Sequence, residues 1–295
     1  MNKRRHPDWL KVPIAGGQQY YAMKSMLRSA DLHTICEEAR CPNIAECFGN
    51  GTAVFLILGD TCTRSCRYCN VNHGIPKELN LQEPQNVAMS VHQLGLKYVV
   101  ITSVTRDDLP DGGAQVFSDT ILAIKQKNPR CYVEVLIPDF NGAPSALQTV
   151  LQAQPDVINH NIEVVQALFP TIRPQGDYQR SLQVLHQSKT FDPTITTKSG
   201  FMIGLGEQWN DILQTMSDLR QATVDLLTIG QYLQPTSHHA PIQKYYTPKQ
   251  FQELKTIALS MGFSHVESGP LVRSSYHAER CGIRKGEKET TKGGT

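Results

Sequence analysis

Short apolar runs alternate with amphipathic stretches over most of the chain. The runs 53–59, 97–103, 131–137, 156–161, 198–204 and 225–230 are rich in apolar residues and glycine, which predicts strands buried on both faces. Between them, 86–94, 115–127, 144–153, 179–187 and 208–221 repeat apolar positions at helical spacing and predict helices. Strand–helix alternation of this length implies parallel strands with right-handed crossovers, hence a barrel or a doubly wound sheet. Six such units fall two short of a closed eightfold barrel. Ahead of them, Met23, Met26 and Leu27 predict a short helix leading toward Asp31, its methionines serving as ordinary core. The stretch from Lys285 to Thr295 is charged and lacks apolar residues, so a disordered tail is expected.

Composition narrows the class. A chain of 295 residues, 40% hydrophobic and 19% charged, is an ordinary soluble α/β protein of one large domain or two smaller ones. Its net charge of +2 gives no argument for a nucleic-acid partner. No apolar run approaches the roughly 20 residues that span a bilayer, and no apolar signal region follows the basic start. The expectation is a cytoplasmic monomer with neither membrane nor nucleic acid as partner. In that compartment, eight cysteines point to metal or chemistry rather than to disulfides.

Six of the eight fall into two triplets. Cys62, Cys66 and Cys69, spaced C-x3-C-x2-C, leave the end of the first predicted strand. A tight loop there can aim three thiolates at one point, as iron–sulfur clusters require. Three ligands on a four-iron cluster leave one iron open. Zinc is the alternative, although it normally takes four protein ligands. Cys36, Cys41 and Cys47, spaced C-x4-C-x5-C, form the second triplet. A disulfide would strand one of them, so a metal accounts for them better, and on spacing alone structural zinc stays open. Cys131 and Cys281 stand alone and are expected to be inert. His238 and His239 are expected at the surface or behind a ligand.

The loop from Cys62 to Cys69, with Tyr68 before its last cysteine, resembles that of radical S-adenosyl-L-methionine (radical SAM) enzymes. The run Cys36-Glu37-Glu38-Ala39-Arg40-Cys41-Pro42-Asn43-Ile44, followed by Glu46-Cys47, resembles the auxiliary-cluster motif of lipoyl synthases. Leu58 to Arg64 extends the match, and Arg273-Ser274-Ser275-Tyr276 resembles the family's C-terminal string. The resemblance runs from about Asp31 to Ala278. It implies an α/β fold, a partial (β/α)6 TIM-like barrel of radical SAM type over 53–235. A 1–52 extension would carry the auxiliary motif, and a 236–295 extension would close the barrel mouth.

The same resemblance implies two 4Fe-4S clusters and SAM as cofactors. Cys62, Cys66 and Cys69 would hold the cluster that binds SAM and cleaves it to a 5′-deoxyadenosyl radical. Cys36, Cys41, Cys47 and Ser275 would hold the cluster that gives sulfur to C6 and C8 of an octanoyl chain. SAM contacts would come from Tyr68, Thr102, Ser103, Glu134, Asn161, Met202, Gly204, Gln231, Tyr232 and Leu233. Asn159 and Glu163, at the fourth strand end, are further candidates for the pocket wall. Implied partners are an octanoylated carrier (a lipoyl domain or a glycine-cleavage H-type protein), a ferredoxin- or flavodoxin-type electron donor, and an iron–sulfur carrier for reassembly. Asn70 and Glu267 stand where the family usually has small residues, which leaves room for a divergent acyl partner. A methylthiotransferase-like enzyme and a two-cluster electron carrier are the alternatives. No basic, aromatic-interleaved RNA-binding segment supports the first, and a carrier needs no SAM cavity.

Overall fold

The computed structural model describes residues 7–12, 16–30, 32–49, 54–276 and 278. Asp31, Ala53, Cys281 and the charged tail after Lys285 lie outside them. The helices are α1 Gln18–Ser29, α2 Ile35–Glu38, α3 Ile44–Gly49, α4 Glu83–Gln93, α5 Ala114–Lys127, α6 Pro144–Gln152, α7 Phe169–Ile172, α8 Tyr178–Phe191, α9 Trp209–Gln221 and α10 Pro248–Ser260. The strands are β1 His33–Thr34, β2 Val54–Ile57, β3 Thr61–Cys62, β4 Asn72–His73, β5 Tyr98–Ser103, β6 Tyr132–Leu136, β7 Val157–Asn159, β8 Thr196–Ile203, β9 Leu226–Gln231 and β10 His265–Gly269.

Eight strands form one sheet in the order β1-β2-β5-β6-β7-β8-β9-β10, so neighbours in sequence are neighbours in space. All pairs are parallel except β1 with β2. The six predicted strands and five predicted helices are present with small shifts at their ends. Two strands of this sheet were not anticipated. β10 lies inside what was expected to be a C-terminal extension and, with α10 before it, adds a further helix–strand unit. Its sequence hides it, because Val266 is the only buried residue of His-Val-Glu-Ser-Gly. β1 is a two-residue antiparallel edge, too short to leave a periodic signal.

The helices form where their ends are satisfied and one face is apolar. Phe117, Ile121 and Ile124 of α5 recur at helical spacing and are fully buried. α10 starts at a capping box between Thr247 and Gln250 with Pro248 in its first turn. The C-terminal ends of the parallel strands ring a cavity of about 490 Å³, whose wall includes Cys62, Thr102, Leu136, His160, Met202 and Tyr232. This is the end at which parallel barrels build their sites.

Candidate active site

The first cysteine loop is anchored at both ends. At the end of β2, Leu58 adopts φ 69° and Gly59 φ 89°, turning the chain sharply. The Leu58 N–H donates to Glu83 Oε2 at 2.7 Å, and its carbonyl accepts from Arg106 Nη1 at 3.2 Å. Cys62 then pairs in the short β3–β4 ribbon, and its Sγ accepts backbone N–H bonds from Arg64 at 3.4 Å and Thr105 at 3.3 Å. Arg64 is buried and clamps two strand ends at once: it bonds Asp107 through Nε at 2.7 Å and Asp139 through Nη2 at 2.7 Å. Burial opposes the charge on Asp139, but the Arg64 guanidinium outweighs it and holds the carboxyl well below the usual carboxylate range. At the far end of the loop, His239 Nε2 lies 2.9 Å from the Cys69 carbonyl, while its Nδ1 lies 2.8 Å from Thr236 Oγ1. A carbonyl only accepts, so Nε2 carries the proton. His239 braces the loop from behind.

The second triplet faces the same cavity from α2, the turn after it and α3, and Cys36, Cys41 and Cys47 all line it. Two bonds tie this region to distant parts of the chain. Asn70 Nδ2 donates to the Glu38 carbonyl at 2.8 Å, linking the two cysteine segments. Asn43 Nδ2 donates to the Leu271 carbonyl at 2.7 Å, bringing in the C-terminal segment. That segment crosses β9 at Gly230, where a Cβ would stand 2.2 Å from the Val272 carbonyl oxygen. Ser274 and Ser275 then reach the cavity wall within a turn closed from Tyr276 N–H to the Arg273 carbonyl. The Tyr276 hydroxyl bonds Glu46 beside Cys47.

Of the expected SAM contacts, Tyr68, Thr102, Ser103, Asn161, Met202, Tyr232 and Leu233 line the cavity, whereas Glu134, Gly204 and Gln231 do not. Glu134 is a correction with a clear cause. It sits mid-strand, paired in register with Val100 and Val157, below the rim. There Lys198 Nζ reaches it at 2.9 Å, Tyr98 Oη at 2.6 Å and Asn159 Nδ2 at 2.9 Å. Asn159 is thereby also turned away from the cavity. The Gln231 amide points behind the sheet, donating to the Tyr232 and Lys244 carbonyls and accepting from the Tyr246 N–H. Gly204, at φ 110°, makes room for it: a Cβ there would lie 2.1 Å from Gln231 Nε2.

Two wall residues escaped the sequence reading, His160 and Arg173. His160 is buried, its Nδ1 lies 2.8 Å from the Ile137 carbonyl, and its Nε2 has no protein partner. Burial and the nearby Arg173 charge push it down to about 4, so the ring is neutral with its proton on Nδ1. Arg173 is buried near Cys66, Tyr68 and Glu163; burial disfavours its charge, but these neighbours hold it protonated. Burial in turn lifts Glu163 above its ordinary range, with Arg173 opposing. Neither residue lies in a recognisable motif. The nearest signal was the polar run from Asn159 to Glu163 ending an apolar strand.

Among the described residues no three His, Cys, Asp or Glu side chains gather closely enough to hold a single metal ion. The donor chemistry nevertheless fits iron–sulfur clusters. Burial raises the Cys36, Cys41 and Cys66 thiols, and it pushes Cys69 up to about 12. Cys36 feels Cys41 and Cys47, whereas Cys69 feels Cys66 and Cys62, so the thiols act as two separate groups. Such thiols ionise only against a cation, which a soft-ligand iron cluster supplies. Cys131, pushed up to about 11 by burial and Asp156, is not part of the cavity wall.

Parallel strands curved around a cavity, with a three-cysteine loop leaving the first parallel strand, define the radical SAM class. Residues 56–219 match the model of the radical SAM superfamily, and residues 1–41 match the N-terminal domain of lipoyl synthase. The lipoyl synthase of Rubrobacter xylanophilus is 58% identical over 92% of this chain and 85% of its own. That of Halalkalibacterium halodurans is 55% identical over 93% and 91%, and that of Bacillus cereus 52% identical over 97% of each. The chain belongs to the lipoyl synthase family of radical SAM enzymes. Its fold is similar to the crystal structures of methylornithine synthase (TM-score 0.52, 13% identity, 85% of this chain and 83% of that one) and of an FeFe-hydrogenase maturase (TM-score 0.56, 15% identity, 90% and 68%). At those identities the likeness speaks for fold alone.

Proposed function

We infer that the chain inserts two sulfur atoms, at C6 and C8, into an octanoyl chain carried on a lysine of a lipoyl-bearing protein. The observation that carries this reading is that both cysteine triplets and Ser275 line one cavity. Methylene and methyl carbons offer no acidic proton, so acid–base groups alone cannot functionalise them. Two 4Fe-4S clusters and SAM supply the chemistry when bound: reductive cleavage of SAM at one cluster, sulfur from the other. The protein supplies position and exclusion of water.

In this reading Cys62, Cys66 and Cys69 would hold the first cluster, the one that would bind SAM. Thr102, Ser103, Asn161, Tyr232 and Leu233 present polar and backbone groups to SAM, while Tyr68 and Met202 pack against it. Ser103 Oγ and Asn161 Oδ1 are buried without a protein partner, which leaves them available to a ligand. Cys36, Cys41 and Cys47 hold the second cluster, with Ser275 as its fourth ligand. A serine oxygen is harder than a thiolate, so Ser275 would be the most weakly matched of the four ligands. The segment Val272–Tyr276 closes the mouth of a barrel that runs from β2 through β10. The acyl carrier is a lipoyl domain or H-type protein, electrons come from a ferredoxin- or flavodoxin-type protein, and an iron–sulfur carrier restores the spent cluster. The compartment is the cytoplasm and the working unit a monomer.

The test is a panel of cysteine variants under anaerobic conditions. Alanine at Cys62, Cys66 or Cys69 is expected to abolish deoxyadenosine formation from SAM. Alanine at Cys36, Cys41 or Cys47 is expected to leave it measurable and end lipoyl production. Ser275→Cys should assemble both clusters, cleave SAM, and insert sulfur poorly. Equal loss of SAM cleavage across both triplets in folded protein would refute the division of labour.

A further inference from the structure

The segment 61–77, which holds the Cys62–Cys69 loop, and the two segments bonded to it, 164–176 and 232–252, contain no Asp or Glu. The chain as a whole carries 27 acidic residues against 29 Lys and Arg, so this is a local separation of charge. The fold brings the three together at Arg67. The Arg67 N–H donates to the Ile172 carbonyl at 2.9 Å, and the Arg67 carbonyl accepts from the Ala240 N–H at 2.8 Å. Beside them the Ser65 N–H donates to Gln175 Oε1 at 3.2 Å, and His239 holds the Cys69 carbonyl.

Arg67 sits between two inward residues. Cys66 and Tyr68 line the cavity, whereas Arg67 does not and is exposed. Lys77, His238, Lys244 and Lys249 on these segments are exposed as well. Among the described residues, neither Arg67 nor these lysines stands in an ion pair. Two acids on neighbouring turns are engaged elsewhere: Asp107 by Arg64, and Asp177 as the N-terminal cap of α8. The outer side of the loop is therefore a cationic collar one residue away from a thiol of the first triplet.

We propose that this collar, centred on Arg67, is the docking site of an acidic one-electron donor protein that reduces the cluster on Cys62, Cys66 and Cys69. The proposal rests on the function inferred above. In the step, the donor loses one electron and the cluster gains one; no atom or proton moves. Electron transfer weakens steeply with distance, and Arg67 is an exposed residue adjacent in sequence to Cys66 and absent from the cavity wall. Complementary charge steers such an encounter and makes it sensitive to salt. The octanoyl carrier has to thread its chain into the cavity, where the C-terminal segment lies, so the collar is left to the donor.

The experiment uses holoenzyme carrying both clusters, its Arg67→Glu and Lys244→Glu variants, and a reduced acidic flavodoxin as probe. Flavodoxin binding is measured by anaerobic calorimetry, and cluster reduction by stopped-flow absorbance at several salt concentrations. Deoxyadenosine formation driven by dithionite, which needs no docking, is the control. Each charge reversal is expected to weaken flavodoxin binding about tenfold, slow protein-driven reduction and flatten its salt dependence, with the dithionite-driven rate unchanged. Wild-type binding and reduction in both variants would overturn the proposal. So would variants that keep flavodoxin binding and lose that of an octanoylated carrier. If wild-type enzyme released no deoxyadenosine even with dithionite, the inferred function itself would fail.

Discussion

His160 shows how much a single side chain can owe to its surroundings. In an unfolded chain a histidine takes up its proton near pH 6.5, but in this fold it does so only at about 4. Protonation therefore favours the unfolded chain. The stabilisation is complete above about pH 6.5 and is lost as the pH falls toward 4, amounting to about 3 kcal/mol. Asp139 adds nothing in that window, because its ordinary range already lies below it. Denaturant unfolding at a series of pH values should show wild-type protein losing stability between pH 6.5 and 4 and His160→Gln losing less by about that amount. Superimposable pH profiles would contradict the assignment. None of this was legible in the sequence, where His160 is one polar residue at a strand end. The cysteines were legible because their spacing is itself a chemical statement. Glu134 misled for the opposite reason: a lone acid in an apolar strand demands a partner, and Lys198, which satisfies it, lies 64 positions away.

At the scale of elements, the segment after β10 depends on one glycine. With the Val272 carbonyl oxygen 2.2 Å from where a Cβ would stand on Gly230, alanine there forces the segment outward. Overpacking of this kind costs about 1–3 kcal/mol. Gly230→Ala is expected to fold, to cleave SAM, and to lose most of its lipoyl product, measured by mass spectrometry of the carrier. A variant with full lipoyl yield would show that the close approach is dispensable. The main strands and helices were readable from periodicity because each buries a continuous apolar face. β10 was not, since it lies at the sheet edge with mostly polar residues, and the Gly230 contact joins positions that no local pattern connects.

The whole molecule rests on a charged floor. Lys198 and Glu134, both essentially buried, bridge β8 and β6 at 2.9 Å beneath the cavity. Removing one partner of a buried pair leaves a charge without compensation, at a cost of about 3–5 kcal/mol. Lys198→Met should show that loss in thermal or denaturant unfolding, and a near-neutral result would mean that Tyr98 and Asn159 suffice for the carboxylate. Sequence revealed two metal-type triplets and not that they share one cavity, because the linking bonds, Asn70 to Glu38 and Asn43 to Leu271, are long-range. The second of these spans 228 positions. A ribosome adding about 5–20 residues per second needs roughly 10 to 45 seconds to travel from one end of that bond to the other. Throughout that interval Cys36, Cys41 and Cys47 have emerged while the segment that covers them does not yet exist. The second cysteine triplet is thus enclosed late in synthesis, and its thiols meet the surrounding redox conditions before the fold can shelter them.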